Sequence, residues 1–70
     1  MEGLFGTVVT FDRVIGLGEI VSGEATFPFH ATSLTNGTRN IVVGAEVTFV
    51  TLHASGGRLE AGRITECFST

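Results

Sequence analysis

The 70-residue chain has one cysteine, one proline, no lysine, no tryptophan and no tyrosine. With Cys67 alone, no internal disulfide can form. One Cys with two separated His, His30 and His53, offers no zinc ligand set, so no metal, redox or small-molecule cofactor chemistry is expected. The only basic residues are four scattered arginines, Arg13, Arg39, Arg58 and Arg63. Set against 7 acidic side chains they leave a net charge of -3 and no basic stripe for gripping a duplex backbone. No apolar run approaches the roughly 20 residues that cross a bilayer. The opening Met1-Glu2-Gly3-Leu4-Phe5 carries neither the basic flank nor the apolar core of a signal peptide, so a cytoplasmic location away from membranes is the expectation. Neither histidine has a spacing that sets Ser or Asp beside it as nucleophile, base and orienter, and the chain is not expected to be an enzyme. Without Trp or Tyr, intrinsic fluorescence cannot report binding.

What is present is 43% hydrophobic residues and 10 glycines, enough for one small domain over residues 1–70. A chain of this size buries only about 60% of the surface it exposes when unfolded, so the core must be compact. β-branched and aromatic residues fall in five short runs broken by glycine. These runs predict strands at Leu4–Asp12, Gly16–Val21, Ala25–His30, Ala45–His53 and Arg58–Cys67. Ser22-Gly23 and Ser55-Gly56-Gly57 are read as turns. Pro28 lies inside the third run and cannot donate a ladder hydrogen bond, which predicts an edge, a bulge or an outward-facing amide there. The stretch Ala31–Gly44 is rich in Ser, Thr, Asn and Gly and forms the long connection, with a 3₁₀ turn expected near Ala31–Leu34. Its Asn36-Gly37-Thr38 is read as an Asn-Gly turn in preference to a glycosylation site. Five short strands with that long connection between the third and fourth predict an all-β fold, a five-stranded antiparallel Greek-key barrel of the OB type, with an SH3-like barrel as the nearest competitor. Phe11 and Phe49 are core candidates. Phe27 and Phe29 share one side of their strand, and at least one of them is expected in the core. Gly16 and Gly18 are read as turn or bulge positions. Phe5 and Phe68, near opposite ends, either pack together or form an exposed apolar patch.

Two segments, Gly16-Leu17-Gly18-Glu19-Ile20 and Phe27-Pro28-Phe29-His30-Ala31-Thr32, resemble the second and third strands of the bacterial cold-shock domain. The family reads Lys-Gly-Phe-Gly-Phe-Ile and Val-Phe-Val-His-Phe-Ser-Ala-Ile in those strands. Its first-strand Lys-Trp-Phe-Asn corresponds to Val9-Thr10-Phe11-Asp12. Its Leu-x-x-Gly-x-x-Val-x-Phe segment is similar to Ile41-Val42-Val43-Gly44-Ala45-Glu46-Val47-Thr48-Phe49, and the likeness extends over Gly6 to about Thr65.

The resemblance implies binding of single-stranded RNA or DNA, which the family achieves by stacking bases on surface aromatic rings. Most of those rings are replaced here. Thr10 stands at the first-strand tryptophan, and Leu17 and Glu19 stand at the second-strand phenylalanines. Pro28 and Ala31 stand at third-strand phenylalanines, and Thr38 at an aromatic position of the long loop. Val9 and Ile15 replace lysines, while His30 keeps its family identity. Each base–aromatic stack is worth about 1–3 kcal/mol, so losing four or more removes upwards of about 4 kcal/mol, roughly a thousandfold in affinity. The residues expected at the nucleic-acid site are Thr10, Leu17, Glu19, Phe29, His30 and Arg39, and binding is expected to be weak or altered in preference. The alternative is a protein-interaction module that has lost nucleic-acid binding. Thr10, Ile15, Leu17 and Glu19 would then meet a protein partner or a second copy of the chain.

Overall fold

The computed structural model describes residues 3–35, 40–53 and 55–67. Five strands form, β1 (Leu4–Asp12), β2 (Leu17–Ser22), β3 (Ala25–His30), β4 (Glu46–His53) and β5 (Leu59–Glu66), with 3₁₀ turns at Ala31–Ser33 and Ser55–Gly57. All pairs are antiparallel in one sheet of order β3-β2-β1-β4-β5. The consecutive β1-β2-β3 meander with β4 returning beside β1 is the Greek-key order. The end strands β3 and β5 also pack against one another, so the sheet curls into a barrel of the expected class. Its closing seam carries no strand ladder among the described residues. Pro28 lies on β3, an end strand, where its missing N–H costs no pairing on the open side.

Strand limits agree with the sequence reading for β1 and β3 and differ at one or two terminal residues elsewhere. Gly16 adopts φ +74° and ends the β1–β2 turn, so β2 starts at Leu17. That turn is held from inside. Asp12 Oδ1 accepts from the Val14 and Ile15 amides at 2.9 and 3.3 Å, and the Asp12 carbonyl accepts from Gly16 N–H at 2.8 Å. Ala45 is spent on a turn bond to the Val42 carbonyl at 3.0 Å, which delays β4 to Glu46.

Two bulges set which residues face inward. The β1–β2 register slips by one between Val8 and Thr10, so Val9 is the extra residue. Val8 and Phe11, three apart, therefore both point to the core, while Thr10 is turned to the outer face. On β5 the register slips between Gly62 and Thr65. Arg63 sits there at φ +49°, a left-handed conformation uncommon for a side-chain-bearing residue.

The core comprises Val8, Ile20, Phe29, Ala31, Leu34, Ile41, Val47, Phe49, Ala61 and Ile64, with Phe11, Phe27 and Ala45 packed at its margin. Leu34 bridges to Ile64, and Thr35 donates both its N–H and its hydroxyl to the Ile64 carbonyl at 2.9 and 3.1 Å. These contacts pin the start of the long connection across one end of the barrel. Phe11 and Phe29 stack in parallel, with centroids 5.8 Å apart and planes within 3°. Both are register partners of Gly18 on the strand between them. A Cβ on Gly18 would lie 2.5 Å from the Phe29 ring and 2.6 Å from the Thr10 carbonyl oxygen. Gly18 is thus a close-approach glycine within the strand, in contrast to the turn glycine Gly16.

Because the Thr10 carbonyl is backbone and cannot rotate away, Gly18→Ala is expected to cost about 1–3 kcal/mol. In a domain this small that is a fall in Tm of roughly 4–24 °C, read by far-UV circular dichroism. An unchanged Tm would mean that the paired rings do not constrain β2.

Candidate functional site

With the inner row fixed as Phe11–Gly18–Phe29, the residues on either side of it in each strand must face outward. Register aligns them in two rows across β1, β2 and β3. One is Thr10–Glu19–Pro28 and the other Asp12–Leu17–His30. Leu17 is 42% exposed and the His30 side chain 55%. Thr10 and Glu19 are also exposed. Four of the residues expected at the binding site therefore lie together on one face.

Phe29 is a correction. Its ring is 1% exposed and stacked on Phe11, because alternation along β3 sends Phe27 and Phe29 inward and Pro28 and His30 outward. Phe29 supports the face from beneath and offers no ring to a ligand. Arg39 and Thr38 lie outside the described residues, as does Phe68. His53 is exposed and pairs with Leu59 in the β4–β5 hairpin, on neither row.

The sequence reading missed the contribution of β5. Barrel closure brings Arg58 and Glu60 alongside β3, where with Thr10, Leu17, Glu19 and His30 they border a shallow concavity of about 390 Å³. A second hollow of about 590 Å³ continues along the seam between Phe27 and Leu59 and shares Glu19, Pro28 and Arg58 with the first. In the sequence Arg58 is one of four scattered arginines. Only non-local closure of β3 on β5 gives it a place, and no local motif announces that.

The electrostatics of this face are mixed, with Glu19 and Glu60 against Arg58. Among the described residues the one ion pair is His30 Nε2 to Glu60 Oε2 at 3.8 Å. That separation is too long for a hydrogen bond, and it holds an attraction only when His30 is protonated. Glu19 and Arg58 have no ionic partner among the described residues. No phenylalanine ring stacks outward here. Phe5, 72% exposed, borders a different hollow with Val21 and Glu46 that shares no residue with the first two.

No protein-family model and no curated protein matches the chain. Among solved structures the fold is similar to the one described as Drosophila Unr CSD456, with a TM-score of 0.78 and 26% sequence identity over 94% of this chain. The chain spans 27% of the length of that protein. This likeness supports a cold-shock domain, an all-β barrel of the OB class.

The long, exposed His30–Glu60 pair is expected to contribute little to stability. Glu60→Gln should change the unfolding free energy by less than about 1 kcal/mol, with the same result at about pH 5 and pH 8, the range in which histidine changes charge. Chemical denaturation followed by circular dichroism measures it. A larger loss confined to the acidic sample would reveal a latch across the seam.

Proposed function

We propose that this domain binds single-stranded nucleic acid, RNA or DNA, weakly, across the outer face of β1, β2 and β3, and acts as a binding domain without catalysis. The observation that carries the reading is the convergence of Thr10, Leu17, Glu19 and His30 on one concave face of a barrel similar in fold to a cold-shock domain. On such a face the exposed His30 imidazole is the one ring able to stack on a base. Leu17 and Pro28 offer apolar contact to its neighbours, and the Thr10 hydroxyl offers a hydrogen bond. Arg58 supplies a cation for a phosphate or a base edge. The divergence from the bacterial pattern lies in what has gone, since aliphatic and carboxylate side chains occupy positions where stacking rings supply about 1–3 kcal/mol each.

A second reading has one specific observation in its favour. Val14 and Ile15, at the tip of the β1–β2 turn, are 93% and 63% exposed beside Leu17, an apolar edge suited to a protein partner or a second copy. The two readings part on salt, because strand binding weakens as salt rises and apolar contact does not.

Titrating isotope-labelled protein with a short mixed-sequence single strand at low salt should give saturable amide shifts at Thr10, Leu17 and His30 and none at Phe5. Silence at millimolar strand would remove the nucleic-acid reading and leave the protein-partner one. In a separate test, Leu17→Phe combined with Glu19→Phe should tighten binding of an all-thymidine strand by about tenfold or more, since two stacking platforms are restored. No gain would show that β2 does not meet the bases.

A further inference from the structure

The hollow along the β3–β5 seam has a chemistry of its own. Phe27, Pro28 and Leu59 form an apolar lining, and Glu19 and Arg58 are the two charged groups beside it. Neither charge is paired with a described residue. Pro28 interrupts the N–H row of β3, so an added peptide strand could not form a continuous ladder here. The ligand that fits is one met through side chains, with a flat apolar body and polar edges.

Resting on the nucleic-acid reading above, the geometry points to a guanine-selective base site at this seam, with Glu19 and Arg58 as its specificity-determining residues. An ionised carboxylate is a pure acceptor with two oxygens, so it is satisfied best by two adjacent donors, and a single amino group fills only one oxygen. Guanine supplies them on one edge, as N1–H and the N2 amino group. Its opposite edge presents O6 and N7, the acceptor pair that arginine grips in a bidentate manner. Thymine and uracil present one N–H between two carbonyl oxygens, and a carboxylate repels that edge. Cytosine offers one amino group and lacks the second donor, and adenine offers no N–H beside its amino group. The apolar lining accepts the base plane, as in single strands whose bases are splayed out of the stack. Glu19, which opposes phosphate and thus weakens binding in general, is on this reading the group that chooses among bases.

The test compares an all-thymidine heptamer, the same strand with a single central guanine, and that strand with inosine in place of guanine, which removes only the N2 amino group. Binding of each is followed by amide shifts in the parent protein and in Glu19→Gln. A good bidentate contact discriminates by about 5- to 150-fold. The guanine strand is therefore expected to bind at least about fivefold tighter than all-thymidine, with the inosine strand between them. In Glu19→Gln the guanine preference should collapse while all-thymidine binding rises, because one negative charge has gone. Arg58→Met should lower guanine binding more than thymidine binding. Glu19 is exposed, and retained amide dispersion confirms that its variant is folded. Equal binding of guanine and thymidine strands, or a preference that survives Glu19→Gln, overturns the guanine site and leaves the proposed function standing. Absence of binding by every strand overturns both.

Discussion

The outer face depends on how closely three residues pack beneath it. Phe11 and Phe29 reach toward one another across β2, and the strand between them clears the Phe29 ring and the Thr10 carbonyl only because Gly18 has no side chain. That contact fixes the inward parity of β1, β2 and β3 at one level of the barrel. Thr10, Leu17, Glu19 and His30 must then face out. The Val9 bulge is part of the same arrangement. Without the extra residue, Val8 and Phe11 could not both be inward, since a regular strand alternates with a period of two.

The use of aromatic residues follows from size. A domain this small has little core volume and needs its large side chains inside. Phe29 and Phe49 are almost fully buried, and Phe11 and Phe27 close the margin through ring contacts with them at 5.8 and 5.3 Å. Of the six phenylalanines, the one exposed among the described residues is Phe5, away from the concave face. The interior thus keeps a barrel similar in fold to a cold-shock domain, while the exterior carries different chemistry. Core and outer face can vary independently because successive residues of a strand serve opposite sides.

Much of the fold was legible because period-two patterning and glycine punctuation are local signals. The limits of β1 and β3, the Pro28 edge and the 3₁₀ turn after His30 could all be read from neighbouring residues. The bulges could not. The extra residue at Val9 and the left-handed Arg63 are ordinary residue types whose placement is set by the partner strand. Phe29 was legible as a core residue from its alternation with Phe27 and from its place at a valine of the family pattern, and its expected role at the binding site overlooked both. Arg58 and Glu60 were invisible as site residues because they reach the face only when β5 closes on β3, a contact between distant parts of the chain.

Replacing rings by carboxylates does more than subtract affinity. Aromatic stacking is tolerant, since every base has a π-face, so a ring-lined surface binds many sequences alike. A carboxylate is intolerant. It repels phosphate and carbonyl edges and accepts only donor edges, and such penalties against wrong partners are the usual source of specificity. On the proposed function, affinity and selectivity therefore move in opposite directions at Glu19. Arg58, just before β5, lies beside the same hollow and is the other half of the proposed recognition pair. Among the described residues β3 and β5 meet at the seam without a ladder, each held in the sheet by its other neighbour, β2 or β4. Side-chain changes on the outward row there leave the backbone pairing of β2 with β1 and β3 in place.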